Sequence, residues 1–321
     1  MDNRDEVKAF LSSRRAKITP ERAGLTSYNR NRRVPGLRRS EVADLAGVSV
    51  EYYAQLERGN LAGVSDSVLD ALARALQLDE AEQAHLADLA RAAGPTARTR
   101  RKPAAQQVRP SVARLLELMT AIPAFVANGR GDVLAANPLA EALFAPMFDA
   151  ATRPVNHARF AFLDPRARDF WIDWQRIASD IVAMLRTEAG RDPYDRGLTD
   201  LVGELSTRSE DFRTRWAGHD VRLHRTGIKQ FRHPVVGDLN LHYETMPLPA
   251  DPGQSLTAFN APAGSADDDA LRLLASWAAT RQAEAPVTAA RSRPQRGLPH
   301  GDAVRHDTEP GAAYRLQTPP A

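Results

Sequence analysis

The sequence predicts a multidomain chain: an all-α part of about five helices, then an α+β part with an antiparallel sheet, then a disordered tail. Three observations predict it. Helical periodicity runs from residue 2 to about 93 and includes two helices folded back around one glycine. Alternation of period two appears at residues 124–128, 132–136 and 239–245. Residues 282–321 are rich in Pro, Ala, Gly and charge, without any period. The boundaries drawn are 1–95, a basic linker at 96–110, 111–280, and a tail at 281–321.

The first helix spans residues 2–18 with Val7, Phe10 and Leu11 as its apolar stripe. Asp5 and Glu6 sit early and Arg14, Arg15 and Lys17 sit late, as the helix dipole prefers. Thr19-Pro20-Glu21 reads as a cap with proline at the first helical position. A polar, basic loop at 28–36 follows. Residues 37–59, LRRSEVADLAGVSVEYYAQLERG, then hold two helices. Ser40 is the expected N-cap, Glu41 opens the first turn, and Val42, Leu45 and Ala46 form the inner face. Gly47 stands where a helix end takes a left-handed residue, and Ser49 caps the next helix. Tyr53 and Leu56 share a face with Val48 and close a small core. This is the layout of a DNA-binding helix-turn-helix. Val68, Leu69, Leu72, Ala73 and Leu76 mark a further buried helix face. Leu86 and Leu89 mark another on residues 79–92, which Gly94-Pro95 ends.

Charge is unevenly spread. Residues 1–102 carry 18 Arg/Lys against 14 Asp/Glu, and the rest 25 against 26, so the excess lies beside the helix-turn-helix. Arg14, Arg15, Lys17, Arg22, Arg30, Arg32, Arg33, Arg38 and Arg39 meet one acid, Glu21, before Glu41. A phosphate backbone suits such a cluster, and a solvated basic loop is the competing view for Arg30 to Arg33. The chain has no cysteine, so no disulfide framework and no thiolate chemistry. It has no membrane-length apolar run and no apolar leader, and a cytoplasmic location is expected.

In the second part, Val112, Leu115, Leu116 and Met119 predict a helix. Gly129-Arg130-Gly131 joins two strands as a hairpin. Asn137-Pro138 opens a helix, residues 156–163 form a short one, and 165–189 read as one long helix. Its inner face carries Phe170, Trp174, Ile177, Ile181 and Leu185. Two helical pieces follow near 201–205 and 212–216. Period two returns at Val221 and Leu223, after Gly227 at Ile228 and Phe231, along 239–245, and at 256–260. A helix at 267–280 closes the domain. Two strands, several helices and three strands is the order of a PAS-like sensor, a sheet with one cupped face under helices.

Two sets of residues carry the resemblance. Ala46-Gly47-Val48-Ser49 followed by Leu56-Glu57-Arg58-Gly59 resembles the xenobiotic-response-element class of helix-turn-helix. Arg33-Val34-Pro35-Gly36-Leu37-Arg38-Arg39, Asn156-His157-Ala158-Arg159-Phe160, Leu201-Val202-Gly203-Glu204-Leu205, Arg208-Ser209-Glu210-Asp211-Phe212 and His233-Pro234-Val235-Val236-Gly237-Asp238-Leu239 resemble the MmyB-like transcription regulators over about residues 8–278. Ser40 departs from the acid usual there. The resemblance implies a regulator whose PAS-like sensor holds a small, mostly apolar ligand, a fatty acid among the options.

The expected DNA-facing residues are Arg38, Arg39, Ser40, Ser49, Val50, Glu51, Tyr52, Gln55 and Arg58. Val50, Glu51, Tyr52 and Gln55 are expected to read bases, and Arg38, Arg39 and Arg58 to hold phosphates. The expected ligand pocket is lined by Phe125, Val133, Phe160, Phe162, Trp171, Trp174, Ile181 and Tyr243. Arg159 or His157 at its mouth, or the Tyr243 hydroxyl, would meet a polar group. A filled core is the competing view of that aromatic inventory. One helix-turn-helix touches few base pairs, so a homodimer on an inverted repeat is expected. No catalytic constellation stands out. Residues 47–51 begin like a nucleophile elbow but lack its last glycine, and no phosphate loop occurs. His224, His233 and His242 lack acid-rich metal spacing, and no metal, cofactor or catalysis is expected. The alternative is an enzyme acting on a small molecule in the second part, with the helical part as accessory.

Overall fold

A computed structural model of the chain describes residues 3–25, 34, 36–94, 107–150, 153–221 and 225–284. Among the described residues the N-terminal part has five helices: α1 Asn3–Lys17, α2 Arg39–Ala46, α3 Val50–Glu57, α4 Asp66–Ala75 and α5 Glu80–Ala92. Val7, Phe10 and Leu11 of α1 are buried with Val42, Tyr53, Leu56, Leu72, Leu86 and Leu89 in one core. Two local expectations change. The cap of α2 is Arg38, in extended backbone, whose N–H donates to Glu41 Oε2 at 2.6 Å. Ser40 therefore lies inside the helix. The inner face of α2 is Val42, Ala43 and Ala46, while Leu45 stays 39% exposed.

The second part starts with α6 Pro110–Leu118, then β1 Ala124–Asn128 and β2 Val133–Ala136. The helices α7 Pro138–Leu143, α8 Ala145–Phe148, α9 His157–Leu163, α10 Ala167–Phe170, α11 Trp174–Arg191, α12 Arg196–Arg208 and α13 Glu210–Ala217 follow. Strands β3 Thr226–His233, β4 Gly237–Pro247 and β5 Gln254–Asn260 and helix α14 Ala266–Glu284 complete it. The sheet runs β2-β1-β5-β4-β3 and every pairing is antiparallel. The hairpin and the meander thus meet where β5 lies beside β1. Phe125, Leu239, Leu241, Tyr243 and Phe259 point from one sheet face into the main core, under the helices. Val126 and Leu256 point from the other face, where Val112 and Leu116 of α6 cover them.

Capping residues set several helix starts. Asn137 Oδ1 accepts from Ala140 N–H at 2.8 Å, and Asn156 Oδ1 from Arg159 N–H at 2.9 Å. The helix expected over 165–189 is two. Its break lies where Trp171 bridges Phe231 and Ile172 N–H donates to the Gln230 carbonyl at 3.2 Å, so β3 takes the backbone that a continuous helix needs. Val221, expected in a strand, is 4% exposed within the N-terminal helical core, and β3 begins at Thr226. Leu223 and His224, Arg30 to Arg33, most of the linker and the tail after 284 lie outside the described residues.

Candidate functional site

The turn between α2 and α3 is fixed by backbone geometry. Gly47 has φ 66, a value that costs an L side chain strain, and Val48 N–H reaches back to the Ala43 carbonyl at 3.0 Å. Ser49 Oγ accepts from Tyr52 N–H at 3.1 Å and starts α3. Tyr53, Leu56 and Glu57 of α3 face inward. Val50, Glu51, Gln55 and Arg58 are exposed and Tyr52 is half-buried, so the side chains expected to read bases share the solvent face.

Glu57 is the acid that sequence reasoning passed over. It is 2% exposed and accepts from Arg15 Nε of α1 at 2.8 Å and from Arg39 of α2, tying three helices together. Its place at i+4 from Tyr53 and i+1 from Leu56 was the available signal. The expected phosphate set divides accordingly. Arg38 and Arg58 are exposed and enter no ion pair among the described residues, whereas Arg39 is engaged by Glu57. The wider basic cluster is also partly spent inside the fold. Arg14 is buried against Glu82 at 2.8 Å, Arg15 holds Glu57, and Lys17 pairs with Asp220.

A second candidate site is a cavity of about 250 Å³ between α11 and the inner sheet face. Of the residues expected at a ligand pocket, Phe125, Trp171 and Ile181 line it, with Ala127, Ile177 and Met184. The other expected wall residues lie beside it in packed core. Trp174 Nε1 donates to the Ala161 carbonyl at 2.9 Å and its ring stacks under Arg168. Phe162 packs edge-on to Phe212, Val133 packs against the core, and Tyr243 is buried beside Phe259. Phe160 lines a second cavity together with Arg159, which pairs with Glu204 at 2.8 Å and is thus not at the first cavity's mouth. The break before α11 turns Trp171, rather than Trp174, toward the sheet.

The cavity also holds polar groups the sequence reading left out. Lys229 lines it from β3, and Asp180, Glu188 and Arg191 from α11. Burial pushes the Lys229 ammonium down to about 8, against the favourable charge of Asp180. Burial, helped by the Lys229 charge, holds His157 down at about 3, so its imidazole is neutral. Burial raises the Glu188 carboxyl above its usual value.

Another face of α11 meets the helix-turn-helix part. Arg186 is fully buried and donates to Glu6 of α1 and to the Trp216 carbonyl, with His219 Nδ1 at 2.8 Å. Burial alone would raise the Glu6 carboxyl, but the His219 hydrogen bond and the Arg186 charge bring it down to about 2. His85 of α5 is fully enclosed, with Nε2 3.9 Å from Glu6 Oε1, and burial lowers it to about 4. A Cβ on Gly190 would come within 2.4 Å of the His85 ring, so α5 approaches α11 where α11 has no side chain.

The profile of the MmyB-like transcription regulator ligand binding domain matches residues 108–274, and that of a helix-turn-helix domain matches residues 14–86. Comparison with curated proteins finds no match. Among the described residues no helix is long and apolar enough to cross a membrane.

Proposed function

The chain belongs to the MmyB-like transcription regulators, a helix-turn-helix joined to a ligand sensor, and on that premise we propose that it reads an operator with α3 and senses a small, mostly apolar ligand. The observation that carries the proposal is the outer face of α3. A capped, core-anchored helix presents Val50, Glu51 and Gln55 to solvent, with exposed Arg58 at its C-terminal end and exposed Arg38 next to Arg39, which pairs with Glu57 at that same end. Glutamine pairs bidentately with adenine, glutamate accepts from cytosine, and valine meets a thymine methyl. The α11 cavity is the ligand site, and its apolar lining of Phe125, Ala127, Trp171, Ile177, Ile181 and Met184 fits a fatty acid or a similar amphiphile. The acting species is a cytoplasmic homodimer on an inverted repeat.

Selection from a randomised duplex pool tests this. Sequencing of the retained duplexes is expected to give two half-sites about 34 Å apart. Gln55→Ala is then expected to lose about 1–3 kcal/mol at one position of each half-site and to relax preference there. A pool that emerges without a consensus sinks the proposal.

A further inference from the structure

The second cavity, of about 210 Å³, lies between α8, α9 and α12. Helix α9 serves both cavities: His157 lines the first, and Arg159 and Phe160 line the second. Four charged residues line the second cavity, Arg159, Asp164, Glu204 and Arg208. Asp164 is taken by Arg166, which donates to both its oxygens, at 3.0 and 2.6 Å, and holds its carboxyl below the usual range. Two guanidiniums then share one carboxylate, a surplus of one positive charge. Arg159 Nε donates to Glu204 Oε2 at 2.8 Å and Arg208 Nη1 to Oε1 at 2.9 Å. Burial alone would raise the Glu204 carboxyl, but these two arginines hold it below its usual value, so it stays charged. A guanidinium carries five N–H donors. Each of these two spends one on Glu204, and the others have no protein partner among the described residues.

We propose that this cavity is a second ligand site, which takes the carboxylate of a small organic acid on the uncommitted N–H groups of Arg159 and Arg208 and packs the acid's apolar body against Met147, Val155 and Phe160. The planar fork of a guanidinium matches a carboxylate with two parallel hydrogen bonds, which a compact ammonium does not offer. The Arg159 side chain is 28% exposed and that of Arg208 59%, so one stands inside the cavity and the other at its mouth. Met147, Val155 and Phe160 are buried, and with Leu163 they give the cavity an apolar wall beside its two cations. An inorganic oxyanion uses the cations alone, and an acid with a ring or a short branched chain uses both. Three separate stretches of sequence meet here, 156–160, 201–205 and 208–212, which supply Arg159 and Phe160, Glu204, and Arg208. The site stands apart from the α11 cavity and does not depend on what that cavity holds.

Calorimetric titration of benzoate, benzamide and inorganic phosphate into the full chain tests this. Arg208→Gln and Arg208→Lys are the variants, and Arg232→Gln, a similarly exposed arginine of β3 that pairs with Asp238, is the control. Benzoate is expected to bind the parent about tenfold more tightly than benzamide, and phosphate more weakly than benzoate. Arg208→Gln is expected to weaken benzoate about 5- to 10-fold and Arg208→Lys by less, while Arg232→Gln leaves it unchanged. Dodecanol in saturating excess, which competes for the α11 cavity, is expected to leave benzoate affinity as it was. Should the glutamine variant fail to fold, the lysine variant, which keeps the charge and loses the fork, decides in its place. Benzoate that dodecanol displaces, that binds Arg208→Gln as it binds Arg232→Gln, or that binds no more tightly than benzamide overturns the site and leaves an ion-pair cluster that only joins α9 to α12. Phosphate bound as tightly as benzoate overturns the organic acid as the ligand.

Discussion

Arg186→Met is the perturbation that most directly probes the joint between the two parts. Arg186 is fully buried and Glu6 is 5% exposed, so truncation leaves a carboxylate enclosed without its main countercharge. Breaking a buried pair from one side costs about 3–5 kcal/mol. The His219 ring, 3.6 Å from Glu6, remains to share the charge, which places the loss near the lower end, about 3 kcal/mol. The guanidinium also stacks 3.9 Å over the Trp216 ring, a contact the methionine side chain only partly replaces. Urea denaturation followed by two signals measures this. All four tryptophans lie at or after residue 171, so fluorescence reports the second part while circular dichroism reports both. The parent is expected to unfold in one coincident transition. Arg186→Met is expected to separate the two signals, and Glu6→Gln with Arg186→Met is expected to cost less than the two singles added. A loss under about 1 kcal/mol with coincident signals, or strict additivity, refutes the reasoning.

Other outcomes follow from the same geometry. Gly190→Ala drives a Cβ into the His85 ring and is expected to cost about 1–3 kcal/mol in thermal or urea unfolding, whereas Gly203→Ala, with open space at its Cβ, serves as control. Stability should fall as pH drops from 7 toward 4. The folded pKa of His85 lies near 4, below its unfolded value, so its contribution is full above about 6.5 and is lost as pH falls through 4. Glu6, near 2 when folded, adds a loss of the same sign below about 4.5. Urea midpoints at pH 7 and pH 5 check this, and a higher midpoint at pH 5 contradicts it. Arg58→Gln is expected to weaken binding to all duplexes alike and to lower the salt slope by about one. A loss confined to the operator assigns Arg58 to base reading instead.

The helix-turn-helix was legible because its determinants are local. Gly47, Ser49 and the Tyr53–Leu56 spacing lie within one short stretch, and each acts through backbone or near-neighbour geometry. The sheet was legible for the same reason in β4, whose burial alternates from Leu239 to Tyr243. What sequence spacing hid is non-local. Arg186 meets Glu6 across 180 positions, and no pattern near either announces the other. Arg14 and Lys17 look like phosphate ligands in a basic run and are instead committed to Glu82 and Asp220. The long helix over 165–189 was misread because its apolar spacing continues through Trp171, whose backbone is claimed by β3. Lys229 was missed because lysine reads as an outward residue. Its alternation with Phe231 and His233, both buried, places it on the inner face.

In the regulator proposed above, a ligand in the α11 cavity alters DNA binding by α3. Fluorescence anisotropy of the selected operator, titrated with full chain in the absence and presence of saturating dodecanoate, tests it. An affinity change of about 5- to 150-fold is expected, with the same factor appearing in dodecanoate affinity when operator is bound. Identical operator affinity with the cavity empty and filled would contradict it.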